Sequence, residues 1–342
     1  IIYMFCRFRS DGRYVHMLAF LNLALLCMTV EVYNSDESSN RFWRVSDLDV
    51  VDSQVLYFYN YRSRGFVEAY NLKGTPFSPS GYQAANPWVG VSPKNNRLLL
   101  IVNESWGVAK NSELTAALLD TLVTSPVVES VSQGELPFVG ATVAGELREL
   151  CRLTPNHFNL KDVSVGFEDC LPNRLSEMGY STRAMHGAVG LMYDRLHWYP
   201  HAGFQQSTFF ESKTWPERCY SFPGACDLDL MDELKSEFAL PGKRFMYWLT
   251  LNTHSVYDLR DLRLPPLDCS RYGVAEDTES CRNFRLQAQF FQGLAKTLSD
   301  GRMKGVEVLI VGDHSPPVFN IEEKNNYFSE GKVSWLHLKV KD

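Results

Sequence analysis

The chain has 342 residues, enough for one large α/β domain or two small ones. Its 40 acidic residues outnumber its 34 basic ones, giving a formal charge of −6. With no basic stripe or repeat, that balance argues against a nucleic-acid-binding protein.

The chain opens on Ile1 rather than Met, which points to sequence upstream. Arg7, Arg9 and Arg13 precede an apolar run from Met17 to Val30, extendable to about Tyr14–Val32. The length is borderline for a membrane span, and a buried core helix has the same composition. The flanking arginines and the polar Tyr33–Asn40 stretch favour a span, with Ile1–Phe5 as the tail of an earlier one. Arginines on the N-terminal side place that side in the cytoplasm and send the remainder outward. No small-residue signal-cleavage site is evident before Asn34. Residues 1–33 therefore read as a transmembrane segment. Residues 34–95 read as a juxtamembrane connector with a short helix around Val51–Tyr61, and residues 96–342 as the main domain.

Arg97–Val102 is a continuous apolar run, the pattern of a strand buried on both faces of a parallel sheet. A helix is predicted over Leu114–Leu122. Phe138–Leu150 reads as a strand end, a tight turn at Gly140-Ala141, and a helix opening near Thr142. That helix carries apolar residues on one face, with Glu146, Arg148 and Glu149 elsewhere. Further strands are predicted at Arg183–His186, Phe245–Leu251 and Val306–Val311, and further helices at Arg174–Met178, Leu228–Phe238 and Arg282–Leu298. Strand and helix alternate, so the expected fold is an α/β sheet, mostly parallel, with helices on both faces.

Cysteine placement adds a compartment. Cys6 and Cys27 lie in the apolar N-terminal region. The other six fall as Cys151 and Cys170, Cys219 and Cys226, Cys269 and Cys281. There are no close Cys-x-x-Cys pairs for a zinc ribbon, so disulfides in an oxidising compartment are the better reading. Six cysteines allow many connectivities, and the spacing alone does not choose among them.

Polar residues collect just past the predicted strand ends, where open α/β sheets keep their sites. Glu104 follows the first strand, His254 closes Leu249-Thr-Leu-Asn-Thr-His254, and Asp313-His314 follows the last. Thr142 heads its helix, where N–H groups and the macrodipole favour negative charge; an N-cap is the plain alternative for it. Glu104, Asp313, His314 and the Thr142 oxygen make an oxygen-and-nitrogen ligand set suited to one divalent cation, Zn²⁺ or Mn²⁺. Such a cation would activate the Thr142 hydroxyl as a nucleophile.

These residues resemble a family. Asn-Glu-Ser-Trp-Gly at 103–107, Gly-Ala-Thr at 140–142, Asn-Thr-His at 252–254 and Gly-Asp-His at 312–314 are similar in order and spacing to the alkaline-phosphatase-like sulfatase superfamily. The closer likeness is to its membrane-bound branch, the lipoteichoic acid synthases and phosphoethanolamine transferases. Met185-His-Gly-Ala-Val-Gly-Leu-Met-Tyr-Asp-Arg195, with Trp198-Tyr-Pro and Gly203-Phe204, resembles a segment of the synthases. The resemblance covers about Arg97 to His314. It implies an alkaline-phosphatase-like fold, metal ligation by Glu104, Thr142, Asp313 and His314, and phosphorylation of Thr142. It also implies phosphate and substituent contacts from His186, Tyr193, Arg195 and His254. Arg195 could grip two phosphate oxygens and either histidine could protonate the leaving alkoxide.

The implied reaction moves a phosphoethanolamine- or glycerophosphate-type group from a phospholipid donor to a glycan or lipid acceptor. The implied location is the bacterial inner membrane, with the catalytic domain on the periplasmic side. Local disulfides are common in the phosphoethanolamine transferases, which fits the three cysteine pairs. Ala188 stands where the synthases carry an acid, Tyr193 where they carry tryptophan and Asp194 where they carry asparagine, so the head group handled can differ. About 28 residues follow His314, fewer than expected for the synthases. The alternatives are a phosphodiesterase, a sulfatase, or a non-catalytic envelope protein with a decayed site. The sulfatase lacks its Cys-x-Pro-Ser-Arg setting, since the nearest stretch is Cys151-Arg-Leu-Thr-Pro155.

Overall fold

The computed structural model describes residues 15–23, 25–26, 69–70, 72–80 and 86–342. The chain divides into two units, Ile1–Glu68 and Ala69–Asp342. In the first, residues 15–23 and 25–26 are helical and exposed. Among the described residues no helix is long and apolar enough to cross a membrane. Part of the run read as a span lies outside the described residues, and so does the helix expected at Val51–Tyr61.

The second unit runs β1 (Phe77–Pro79), β2 (Arg97–Asn103), β3 (Gly107–Ala109), α1 (Ser112–Val123), β4 (Val128–Pro137), α2 (Thr142–Cys151), β5 (Leu153–Pro155), α3 (Leu171–Glu177), β6 (Ser181–His186), α4 (Arg195–Ala202), β7 (Gln206–Thr208), β8 (Arg218–Cys219), β9 (Gly224–Ala225), α5 (Asp227–Phe238), β10 (Arg244–Leu249), α6 (Glu279–Leu298), β11 (Glu307–Gly312), α7 (Ile321–Tyr327) and β12 (Phe328–Val340). The unit begins before residue 96. β1 pairs antiparallel with β5, Trp88 is buried, and Asn86 donates to the Glu149 carbonyl at 3.1 Å.

Eight strands form the main sheet in the order β3-β12-β11-β2-β10-β6-β7, with β4 also on β12. β11, β2, β10, β6 and β7 are mutually parallel. β12 runs antiparallel to β11, and β3 and β4 run antiparallel to β12. The sheet is therefore mixed, where the sequence reading expects a mostly parallel one. β2, β10 and β11 are continuous apolar runs and were legible as such, β6 was expected only over Arg183–His186, and the short polar β7 was not expected. β12 instead alternates buried and half-buried positions along Ser334-Trp-Leu-His-Leu-Lys-Val, and most of β4 is exposed. Such one-sided strands lack the continuous apolar signal.

Helices cover both faces, as expected. Leu99, Ile101, Met246, Trp248, Val308 and Ile310 share one core cluster with α1, α5 and α6. On the other face α2 and α4 lie over β10: the Tyr247 hydroxyl donates to Glu146 of α2 at 3.1 Å, and the Tyr199 ring of α4 sits 6.1 Å from that of Tyr247. α1 starts where the Asn111 side chain accepts the Glu113 and Leu114 N–H groups, and its Leu114, Leu118, Leu119 and Leu122 stripe faces the core.

All three local cysteine pairs are closed, as Cys151–Cys170, Cys219–Cys226 and Cys269–Cys281. They tie the end of α2 to the start of α3, close the β8–β9 hairpin, and anchor a loop to the first turn of α6. Cys6 and Cys27 lie outside the described residues.

Candidate active site

The sheet register gathers the site. Leu249 of β10 pairs with Val102 and with His186, and Gly312 of β11 pairs with Asn103. Adjacent strands lie about 4.8 Å apart. Glu104 and Asp313, one residue beyond the Asn103–Gly312 pair, are therefore neighbours at the sheet's C-terminal edge. The ladder runs on past the strand ends: the Asp313 N–H donates to the Asn103 carbonyl at 3.2 Å and the Thr250 N–H to the Val102 carbonyl at 3.0 Å.

The chain turns sharply after Glu104. Ser105 has φ 55°, a left-handed conformation that costs a non-glycine residue energy unless its surroundings hold it. Its N–H donates to Asp313 Oδ1 at 2.8 Å and its hydroxyl to Glu104 Oε1 at 2.9 Å. The carbonyls of Glu104 and Ser105 accept from Gln287 of α6 at 3.0 and 3.2 Å. Thr250 accepts the Glu104 N–H at 2.9 Å, and the Thr253 hydroxyl donates to the Glu104 carbonyl at 2.5 Å.

Thr142 is the first residue of α2. Ala141 occupies the N-cap with no side-chain bond, so Thr142 is not the cap. Its hydroxyl lies 3.3 Å from Glu104 Oε2 and 3.4 Å from His314 Nε2. The His314 Nδ1 side meets the Ser315 carbonyl at 2.9 Å. A carbonyl can only accept, so the proton sits on Nδ1 and Nε2 presents its lone pair. That nitrogen is 3.4 Å from Glu104 Oε1 and 3.3 Å from Asp313 Oδ2.

The Glu104, Asp313 and His314 ligand atoms all lie within 4.8 Å of one another. Asp313 Oδ2 is buried with no hydrogen-bond donor among the described residues. Burial, and then the facing Glu104 carboxylate, push the Asp313 carboxyl up to about 7. Two carboxylates and an imidazole lone pair converging on one point, with the buried Asp313 Oδ2 lacking a donor, are a poor arrangement by themselves and a good one around a divalent cation. The donor set fits Zn²⁺ or Mn²⁺, with the Thr142 oxygen beside it.

α2 reaches this position because Gly145 lacks a side chain. A Cβ there would stand 2.8 Å from both the Cα and the carbonyl oxygen of Asp313. Gly145→Ala is expected to push α2 off the end of β11 and separate Thr142 from Glu104 and His314. A misplacement near 1 Å costs about a hundredfold in rate. Activity falling by that order with metal content retained, measured by steady-state kinetics and metal analysis, checks it.

The rest of α2 departs from its expected amphipathic form, since all ten of its residues are buried. Arg148 donates to Glu149 at 2.7 Å and to the Gly312 carbonyl at 2.8 Å, and lies over the Phe138 ring at 4.2 Å. Glu146 is paired with Arg195. Paired charges can be buried, which is why the polar residues did not mark a solvent face.

Of the predicted substrate contacts, His186 ends β6 and is buried, with Nδ1 meeting the Leu249 carbonyl at 3.0 Å. Burial, then the Arg195 charge, hold its imidazole well below the usual range, so it is neutral. His254 contacts the Ser255 carbonyl through Nδ1 and packs against Phe222 at 4.7 Å. Tyr193 has φ 52° and lies among Tyr70, Phe158 and the Arg195 guanidinium. Arg195 spends its Nε and Nη2 donors on Glu146, at 2.9 and 2.7 Å, and directs Nη1 to the Met192 carbonyl at 3.3 Å. The two-point phosphate grip expected of it would have to use what remains of its Nη groups. These four residues are not among the metal-facing atoms.

Several supporting residues escaped the sequence reading. Gln287 is buried mid-helix and bonds Asn103 at 2.7 Å as well as the Glu104 turn. Asp227 heads α5 and accepts the N–H groups of Leu251 and Asn252, at 3.0 and 2.7 Å, holding the loop before His254. Burial pushes its carboxyl up to about 7. A polar residue on the apolar stripe of α6 was the one available sign for Gln287. Asp227 reads as an ordinary first-turn acid.

A family model described as Sulfatase matches residues 138–337, more than half of the chain. Among solved structures, lipoteichoic acid synthase LtaP from Listeria monocytogenes superposes with a TM-score of 0.54 and 16% identity, over 80% of this chain and 71% of that one. A protein of the alkaline phosphatase superfamily from Vibrio parahaemolyticus gives 0.52 and 18% identity, over 78% of this chain and 63% of that one. This chain thus spans less than two thirds of the Vibrio protein's length. No curated protein matches the chain. At these identities the structural likeness is one of fold, an alkaline-phosphatase-like one. With the family model matched over residues 138–337, from α2 through β6, β10 and β11 into β12, the chain belongs to the sulfatase family.

Proposed function

We propose that this protein is a metal-dependent phosphotransferase of the family's membrane-bound branch. It would move a phosphoethanolamine- or glycerophosphate-type group from a phospholipid to an envelope glycan or lipid, through phosphorylated Thr142. The observation that carries the reading is the Thr142 hydroxyl at a helix N-terminus, 3.3 Å from Glu104 and 3.4 Å from His314.

Glu104, Asp313, His314 and Thr142 would hold a divalent cation, Zn²⁺ or Mn²⁺, whose charge would make the Thr142 hydroxyl more acidic and screen the carboxylates from an anionic donor. With its proton given up to solvent, the Thr142 oxygen forms a bond to phosphorus as the bond to the lipid alkoxide breaks. His254 is the candidate to give that alkoxide its proton, because burial and the Arg195 charge hold His186 neutral. The acceptor hydroxyl then gives a proton to His254 and attacks phosphorus, and the Thr142 oxygen leaves as the alkoxide that began the cycle. The N–H groups opening α2 face the phosphoryl oxygens throughout. His186, Tyr193 and Arg195 would line the head-group side.

Cys151 cannot serve as the precursor of a sulfatase nucleophile here. It lies at the C-terminal end of α2 and is bonded to Cys170. The three disulfides support a catalytic domain exported to the extracytoplasmic side, with residues 1–33 as the anchor. Intact-protein mass spectrometry after incubation with phosphatidylethanolamine and with phosphatidylglycerol tests the proposal. An added mass on Thr142 names the donated group, and its loss to water without an acceptor would make the protein a phosphodiesterase. No adduct with either lipid in the metal-loaded protein would refute the reading.

A further inference from the structure

One buried group has no part in the reaction as drawn. Glu146 lies four residues after Thr142 on α2, so both project from the same face, one turn apart. Its side chain is fully buried and that of Arg195 is 1% exposed. Oε2 accepts both the Nε and Nη2 of Arg195, and Oε1 accepts the hydroxyls of Tyr199 at 2.5 Å and Tyr247 at 3.1 Å. One carboxylate therefore joins α2 to α4 and β10.

Burying such a pair is costly, and apolar residues of similar volume generally stabilise a fold as well or better. Its placement suits a different task. Arg195 begins α4 directly after Tyr193 and Asp194, which have φ 52° and 56°, two successive left-handed residues. Arg195 bonds the Met192 carbonyl and lies 5.1 Å over the Tyr193 ring. The Trp198 indole donates to the Tyr193 carbonyl at 3.0 Å, and Asp194 accepts the Leu160 N–H at 3.0 Å. Arg195 is thus the link between this strained arm and the helix that presents the nucleophile.

We propose that Glu146 is a positioning residue: through Arg195 it locks the Tyr193–Arg195 arm to the helix carrying Thr142, so that nucleophile and head-group contacts keep one geometry. The inference rests on the phosphotransfer reading for its catalytic half and on the contacts above for its structural half. Glu146→Gln keeps volume and an acceptor oxygen but removes the charge that orients Arg195. In the full-length, metal-loaded protein it is expected to raise amide hydrogen exchange across 192–195 and to lower kcat/KM for the phospholipid donor at least about tenfold, with metal content unchanged.

Because a single change strands a buried charge, the double variant Glu146→Leu with Arg195→Met provides the second arm. It is expected to remain folded yet transfer poorly. Wild-type transfer by the folded double variant, or unchanged exchange at 192–195 in Glu146→Gln, would overturn the proposal. If wild type itself never forms phosphorylated Thr142, the reaction reading fails, while hydrogen exchange still decides whether Glu146 holds the arm.

Discussion

Thr142→Ala is expected to abolish transfer while leaving the fold intact. The side chain is 7% exposed, and its hydroxyl contacts are long ones, at 3.3 and 3.4 Å. It does not cap α2, whose N-cap is Ala141. Losing the hydroxyl therefore costs about 1 kcal/mol of stability or less. The chemical cost is of another order. With no oxygen to attack phosphorus, the loss should exceed roughly a thousandfold, as for nucleophiles of other covalent enzymes. Kinetics, thermal melting and intact mass together check this: an unaltered melt, no adduct and no transfer. Activity near the wild-type level would remove Thr142 from the reaction.

Asp313→Asn should be nearly as severe, for a reason visible in the asymmetry of the carboxylate. Oδ1 accepts the N–H of Ser105 at 2.8 Å and of His314 at 2.6 Å, bonds that the asparagine carbonyl can keep. Oδ2 is the buried oxygen without a donor, and the substitution puts an NH₂ there. An NH₂ has protons where a cation needs a lone pair, and the site loses one of its two negative charges. The expected result is a folded protein that retains far less Zn²⁺ or Mn²⁺ after dialysis, with activity reduced roughly a hundredfold or more. Metal analysis beside the melting curve separates this from unfolding. A stoichiometric ion retained by Asp313→Asn would show that Asp313 is not a ligand.

Particular residues show how much of this was legible. β2, β10 and β11 are apolar runs, and their existence needs only the sequence, because strands buried on both faces have no polar side to show. Glu104, Asp313, His314 and Thr142 stood out because each follows a strand or heads a helix, and four short motifs matched in order. β12 did not stand out, since its buried and half-buried residues alternate as they do in many surface segments. Nor did the burial of Glu146, Arg148 and Glu149, because a charge reads as exposed until its partner is known.

The sequence by itself determined the apolar strands β2, β10 and β11 and the longer helices packed on them, which residue types could hold a cation, and the cysteines that would be bonded. Those properties depend on local periodicity, residue chemistry and composition. Only the tertiary structure decided the register that sets Glu104 beside Asp313, the approach of Gly145 to the β11 end, and the pairing of Arg195 with Glu146. Each joins residues far apart along the chain, and short-range pattern carries no information about which distant atoms will meet.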